Sequence, residues 1–344
     1  MSGKEKKIKC VVWDLDNTVW DGVLLEDENV LLRSRVVEVI KILDERGILN
    51  SISSKNEYNL AISKLKEFRI DKYFIYPQIS WNSKASSVKK IAELINIGID
   101  TFAFVDDQPF EREEVKYSHL NVLCIDAVDI SEIPDMPEMI PRFITAESKE
   151  RRKIYQSDIK RKKLEEKFEG PGDEFLSTLD MEFTISEATE DDLQRAEELT
   201  MRTHQLNTTG YTYSYDELNF FRQSSDYKLL ISGLDDKYGT YGKIGVTLIK
   251  TEKDAWYIKL LLMSCRVMAR GVGNVLINYL MQEAKKQGVR LCAELIPTDR
   301  NRMMYMTYKF ANFKEKEKNG DLIIFENDLS IIQKLPNYIK LVLK

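Results

Sequence analysis

Cysteine and histidine are scarce in this chain, long apolar runs are missing, and each shortage excludes something. Four cysteines in 344 residues, Cys10, Cys124, Cys265 and Cys292, are too widely spaced for a zinc site or a disulfide framework. No apolar run approaches the ~18 residues of a membrane span. The basic start Met1-Ser2-Gly3-Lys4-Glu5-Lys6-Lys7 leads into a strand pattern rather than a signal-peptide core. These absences predict a cytoplasmic protein with reduced thiols and no membrane association. Basic residues number 51 and acidic residues 56, for a formal net charge of −5, which gives no support for nucleic-acid binding. There is no internal repeat and no low-complexity tract. A length of 344 residues with 43% hydrophobic and 31% charged content leaves an ordinary globular chain with two domains as the default.

The most informative run is Val11-Val12-Trp13-Asp14-Leu15-Asp16-Asn17-Thr18-Val19-Trp20. An apolar stretch from Ile8 to Trp13, broken by Lys9, ends in two carboxylates two residues apart. A buried strand ending this way delivers both carboxylates to the carboxyl edge of a sheet, where open α/β sheets bind ligands. Two carboxylates there can hold Mg²⁺ beside a phosphate, and one can attack phosphorus. Three more segments fit the same edge in order. Ile48 to Ser53 reads as a strand running into Ser54-Lys55-Asn56, where a hydroxyl can bond a phosphoryl oxygen. Lys84, after Trp81-Asn82-Ser83, opens an amphipathic run through Val88, Ile91, Ala92, Leu94 and Ile95 and supplies a fixed positive charge. Thr101 to Val105 reads as a strand ending in Asp106-Asp107, with Glu111 adding a carboxylate where a metal would need one. Strands alternate with helical patterns from Lys7 to Asp126, which predicts a doubly wound parallel sheet.

This set resembles the haloacid dehalogenase (HAD) phosphatase superfamily. Asp14 and Asp16 match its first motif, Ser54 the second, Lys84 the third and Asp106-Asp107 the fourth. The resemblance implies Asp14 as nucleophile, forming an aspartyl-phosphate, and Asp16 as general acid and base. It implies Mg²⁺ held among Asp14, Asp16 (through its backbone carbonyl), Asp106 and Asp107. Thr18, Ser54, Lys55 and Asn56 are the candidate substrate contacts in this half. The stretch between Asp16 and Ser54 is too short for a large cap, which suits a bulky or protein-borne substrate.

The composition shifts near residue 130. Pro134, Pro137 and Pro141 punctuate a loop, and Glu147 to Glu169 is dense in charge. That segment reads as a solvated helical linker, or as a docking face for an acidic partner. The expected division is 1–145, a HAD-like domain; 146–175, a charged helical linker; and 176–344, a second α/β domain. In that last part Phe183-Thr184-Ile185 reads as a strand and 190–201 as a helix. Tyr227 to Ile231, Gly242 to Lys250 and Ala255 to Met263 form a strand series in hairpin order. A loop containing Arg270, Gly271 and Gly273 follows, then a helix marked by Val272, Val275, Leu276, Tyr279 and Leu280. Such a loop exposes backbone N–H groups that can take a phosphate.

This half resembles the GNAT acyltransferases, over Arg270, Gly271 and Gly273. Met268 stands where that family has a basic residue or glutamine to help bind pyrophosphate. The combination of both halves resembles the FkbH-like proteins of polyketide biosynthesis, which are glyceryl-carrier-protein synthases. Further matches are Asp106-Asp107-Gln108-Pro109-Phe110-Glu111-Arg112, Arg202-Thr203-His204-Gln205-Leu206-Asn207 and Ser264-Cys265-Arg266-Val267; the family has Asn where His204 stands. The resemblance implies removal of phosphate from 1,3-bisphosphoglycerate, a phosphorylated three-carbon acid. The glyceryl unit would then pass to the phosphopantetheine thiol of an acyl carrier protein.

Cys10, Cys124 and Cys292 lie in apolar strands and read as core thiols. Cys265, at a strand end before the glycine loop and beside Arg266, is the candidate relay thiol. Arg202, Gln205, Asn207, Thr298 and Asn301 are candidate polar contacts for the substrate, as are Arg270, Gly271 and Gly273. Two other enzyme readings stay open: a HAD phosphatase fused to an N-acetyltransferase for a sugar or nucleotide, and a plain phosphatase whose second domain binds a partner. A non-catalytic scaffold is a third, and the intact Asp14-x-Asp16-x-Thr18 argues against it.

Overall fold

A computed structural model describes residues 7–27, 29–203 and 205–344, and the chain divides into two compact units, Met1–Gln156 and Ser157–Lys344. The first unit runs β1 (Cys10–Trp13), β2 (Trp20–Asp21), β3 (Leu31–Leu32), α1 (Ser34–Glu45) and β4 (Leu49–Ser54). It continues through α2 (Tyr58–Glu67), β5 (Gln78–Ile79), α3 (Lys84–Ile95), β6 (Phe102–Asp106), α4 (Pro109–Ser118) and β7 (Leu123–Asp126). The main sheet has the order β5-β4-β1-β6-β7, all parallel. This is the HAD-like, doubly wound sheet expected. Between β1 and β4 lie only the β2–β3 pair and α1, so no large cap interrupts them.

The order reverses at β1, with β4 on one side and β6 on the other. Such a switch point opens a crevice at the carboxyl ends of the strands. β1 is buried along its whole length, as a central parallel strand must be. Helix α1 turns Val36, Val39, Ile40 and Leu43 inward at helical spacing. Helix α3 starts at Ser83, whose side chain accepts from the Ser86 N–H, and ends at Asn96 in the left-handed region.

Helix α5 (Ala146–Glu166) contains the division between the units. Its charge run is not a uniformly solvated face. Within the first unit, Arg151 donates to the Gly47 carbonyl at 2.7 Å and Arg152 pairs with Asp44 at 2.8 Å. Within the second, Arg161 is fully buried.

The second unit runs α6 (Gly172–Ser177), β8 (Met181–Glu187), α7 (Leu193–Arg202), α8 (Tyr215–Gln223), β9 (Tyr227–Asp236), β10 (Gly239–Thr251) and β11 (Ala255–Met263). Then come α9 (Val272–Gln287), β12 (Arg290–Leu295), α10 (Arg302–Phe310), β13 (Phe313–Asn319), β14 (Leu322–Asn327) and β15 (Ile339–Leu343). Its sheet has the order β13-β14-β12-β11-β10-β9-β8-β15. The β11–β12 and β8–β15 pairs are parallel, the rest antiparallel. This is the GNAT-like α/β fold expected. One apolar cluster packs α9 and α10 on the sheet through Leu276, Leu280, Ile258, Tyr308 and Phe325. Another packs α7 and α8 through Leu193, Leu199, Leu218, Leu229 and Leu260. Among the described residues no helix is long and apolar enough to cross a membrane.

Candidate functional site

A cluster of buried charge lies at the carboxyl edge of the first unit's sheet. Asp14 follows β1 and donates its backbone N–H to Val105 O at 2.9 Å, which holds it beside the end of β6. Asp106 closes β6 and is fully buried. Lys84, 2% exposed, is the first residue of α3. A cation at a helix N-terminus opposes the helix dipole, so carboxylates must hold it there. Its Nζ bonds to Asp14 and lies 2.9 Å from Asp106 Oδ2 and 3.0 Å from Glu111 Oε2. A further bond goes to Ser53 O at 3.0 Å.

Titration follows from this crowding. Burial pushes the Asp14 carboxyl above its ordinary value against the pull of Lys84. Burial and then the nearby Asp14 charge push Asp106 up to about 7. Burial works against the Lys84 ammonium, but Asp14, Asp106 and Glu111 together outweigh it and hold its pKa above the usual lysine value. Glu111 is lowered: its burial is outweighed by Lys84 and Lys55.

One oxygen each from Asp14, Asp106 and Asp107 falls within 4.8 Å of the others. An all-oxygen, all-carboxylate set of this kind fits a hard divalent cation such as Mg²⁺. The Asp16 carboxylate is outside that group. Its Oδ1 accepts from Trp20 Nε1 at 2.8 Å and Leu24 N at 3.1 Å, and its Oδ2 from Asn56 Nδ2 at 3.0 Å. Asn56 therefore orients Asp16, and Trp20 does so from the other side. The Ser54 hydroxyl bonds to Asp14. Thr18 is fully buried, and its Oγ1 accepts from Asp107 N at 3.2 Å, tying the first and last motifs together.

Glu111, expected as a metal carboxylate, faces two lysines instead. Its Oε1 is 2.7 Å from Lys55 Nζ while its Oε2 holds Lys84. Two further contributors lie in the matched run Asp106 to Arg112, where no individual role was expected of them. Arg112 donates to Asp106 O at 2.7 Å, and Gln108 Nε2 donates to Asp107 Oδ2 at 2.6 Å. Both lie in the first residues after β6, where the turn into α4 brings donors back over the strand end.

In the second unit the candidate residues lie on the turn after β11, at the start of α9 and on the segments before β9 and α10. Cys265 is half-buried at the end of β11, against the α9 cluster. Arg266 Nη2 donates to Tyr241 O at 2.8 Å, and its Nη1 lies 3.8 Å from Asp158. Arg270 is 6% exposed and pairs with Glu165 at 3.1 Å. Gly271 sits at φ +75°, a left-handed position that favours glycine. A Cβ there would come 2.8 Å from the Tyr338 hydroxyl. Gly273 follows at the start of α9, with Met263 Sδ 4.0 Å from where its Cβ would be.

Asn207 and Asn301 are buried, and both bond to backbone. Asn301 Nδ2 donates to Asn207 O at 3.0 Å and Ile296 O at 2.9 Å; Asn207 Oδ1 accepts from Gly210 N at 2.9 Å. Thr298 Oγ1 accepts from Asn301 N at 3.1 Å. Arg202 pairs with Glu198 at 2.9 Å, and Gln205 is exposed. His204 lies outside the described residues.

β11 and β12 pair only from Ala255 to Ile258. Beyond that, Leu206–Thr208 lies in register with β11. Met263 N donates to Leu206 O at 2.9 Å, Thr208 N to Leu261 O at 3.2 Å, and Ile296 N to Thr208 O at 2.9 Å. A separate cavity of ≈ 550 Å³ is lined by Ile185, Leu230, Trp256, Tyr279 and Glu283, among others, and by none of the residues chosen from the sequence.

Cys10 and Cys292 are buried as expected, and Cys124 is half-buried because β7 is an edge strand.

No protein-family model and no curated protein sequence matches the chain. Among solved structures it is similar to the N-terminal part of BF1531 from Bacteroides fragilis, containing a phosphatase domain complexed with Mg, at 30% identity and a TM-score of 0.33. That match covers 37% of this chain and only 39% of the other. The ribosomal-protein-S18-alanine N-acetyltransferase from Escherichia coli matches at 19% identity, over 44% of this chain and 97% of that one, with a TM-score of 0.35. The PaiA N-acetyltransferase from Thermoplasma acidophilum, in complex with coenzyme A, matches at 18% identity, over 42% and 98%, with a TM-score of 0.35.

Proposed function

We propose that the first unit is a Mg²⁺-dependent phosphoryl-transfer site and the second an acyl-transfer unit. The observation that carries the reading is the buried set of Asp14, Lys84 and Asp106 with Asp107 beside it. Asp14 attacks the phosphorus of a phosphate ester, and the ester oxygen leaves. Asp16, held by Trp20 and Asn56, gives that oxygen its proton and later takes one from the water that releases phosphate. Ser54 and Lys84 meet the phosphoryl oxygens. Mg²⁺, held by Asp14, Asp106 and Asp107 with the Asp16 carbonyl, would neutralise phosphate charge.

The finer reading is glyceryl transfer. The substrate is 1,3-bisphosphoglycerate, and the acceptor is the phosphopantetheine thiol of an acyl carrier protein. A thiolate attacks the acyl carbon; a C–S bond forms, the C–O bond to phosphate breaks, and inorganic phosphate leaves. Cys265 is the proposed thiol, passing the acyl group to the carrier by thioester exchange. Incubating the protein with Mg²⁺, 1,3-bisphosphoglycerate and carrier, then weighing the carrier by mass spectrometry, tests this. An added glyceryl group on the carrier supports it.

A second reading is a plain phosphatase whose second unit binds a partner. It is favoured by the Glu165 carboxylate on Arg270, which occupies a cation that an incoming phosphate would need. Phosphate release with no gain in carrier mass would select it.

A further inference from the structure

The cavity of ≈ 550 Å³ in the second unit belongs to neither of the sites described so far, and its size is that of a small-molecule pocket. It lies away from the glycine loop. Trp256, on its wall, is the second residue of β11, whereas Cys265 follows the end of that strand. Nine residues of extended chain put about 30 Å between them. On α9, Tyr279 and Glu283 come about 10 and 16 Å beyond Val272. The floor is the sheet face that α9 covers, with Leu230, Ile249 and Trp256 all buried.

The charges around this floor are segregated. Glu187 stands opposite Leu230 across β8 and β9. Lys228 is two residues further along β9, about 7 Å away on the same face, and its ammonium lies over the Trp256 ring, 4.7 Å from the centre. Lys243 is paired with Asp192 at 3.0 Å, and Lys344 joins Lys340 in lowering the Glu182 carboxyl. The opposite lobe is felt by Tyr279. Burial raises its phenol first, the Glu283 and Glu187 carboxylates raise it further, and no lysine acts against them. Among the described residues the Glu187 carboxylate has no hydrogen bond or ion pair. Glu283 has only Lys286, at 3.8 Å and 73% exposed, which neutralises little. Two carboxylates without a close counter-charge therefore flank a phenol at the rim of an apolar floor.

We propose that this cavity binds an organic cation, an amine on an apolar body, with the ammonium between Glu187 and Glu283 beside the Tyr279 hydroxyl and the apolar part on Leu230, Ile249 and Trp256. At about 30 Å from Cys265 along β11, the amine is a bound ligand of this unit and not an acceptor of acyl groups at that thiol. The inference stands whether or not the acyl-transfer reading does.

The test uses the full chain and three probes of one chain length, hexylammonium, hexanol and hexanoate. Titrations followed by NMR, at the indole N–H signal that Trp256→Phe removes, give their dissociation constants. The wild type should bind hexylammonium at least about tenfold more tightly than hexanol, the size expected of one charge-assisted contact, and hexanoate most weakly. Glu187→Gln with Glu283→Gln should erase the preference and leave the melting curve unchanged, because neither carboxylate is buried. Equal binding of hexylammonium and hexanol, or a preference that survives both substitutions, overturns the proposal. So does a preference for hexanoate, which would give the cavity to Lys228 and an anion, and so does binding by none of the three.

Discussion

Replacing Lys84 by Met removes the only cation that touches Asp14 and Asp106 together among the described residues. Methionine fills much of the same volume, so the loss is electrostatic. Two buried carboxylates are left without their counter-charge, and Ser53 O loses its donor. Breaking a buried ion pair from one side costs roughly 3–5 kcal/mol. For a unit of this size each kcal/mol moves the melting temperature by about 2–4 °C, so a drop of roughly 6–20 °C is expected for the first unit.

The pH dependence of that drop has a definite sign. Asp14 and Asp106 already titrate above ordinary carboxylates, Asp106 at about 7. A carboxyl raised in the folded state binds protons that the unfolded chain has released, so stability falls as pH rises through that window. Without the ammonium both are raised further, and the deficit should be smaller at pH 5.5 than at pH 8. Calorimetric melts in EDTA at both pH values provide the assay, with Mg²⁺ added back to return positive charge to the cluster. A variant melting within about 2 °C of wild type at pH 8, well inside the range expected, would refute the argument. So would a deficit that shrinks as pH rises.

Asp14→Asn should lower phosphate release by at least about three orders of magnitude, as for other covalent nucleophiles. It should leave the melting temperature equal or higher, since one crowded carboxylate is gone; phosphate assays and melts check both. Cys265→Ala should abolish a glyceryl adduct seen on the intact wild-type protein and stop carrier loading, while phosphate release continues; loading at the wild-type rate would mean direct transfer from substrate to pantetheine. Arg161→Met should destabilise the second unit by about 3–5 kcal/mol. It would strand Asp236, which Arg161 grips at 2.7 and 2.8 Å, and Asp158 at 2.8 Å, and denaturant titration would report the loss.

The first site was readable because β1 is an uninterrupted apolar run that ends in carboxylates, and because Lys84 opens a helix with clean periodicity. Helix α8 carries its own start signal, since Ser214 and Glu217 form a capping box. Strand β13 could not be seen, because Phe313-Lys-Glu-Lys-Glu-Lys-Asn319 has no apolar face and lies at a sheet edge. Strand β15 owes its place to β8, far away along the chain. Glu111 was visible as a carboxylate, but its partner Lys55 was not visible as such, because pairing between loops leaves no spacing pattern. Asn207 and Asn301 illustrate the reverse difficulty. A polar residue that holds a loop by its carbonyls reads the same in sequence as one that holds a ligand.

The segment Leu206–Thr208 occupies hydrogen-bonding positions on β11 that a flexible arm laid along that strand would need. Any such arm is therefore in competition with a tethered piece of the chain, present at a local concentration no free molecule reaches. Its apparent affinity is the intrinsic one multiplied by the fraction of molecules in which the segment has swung out. Amide exchange at Leu261 and Met263 would measure that fraction directly, since both N–H groups are protected by this segment. A partner that loosens the segment would act as an enhancer of arm binding without touching the arm.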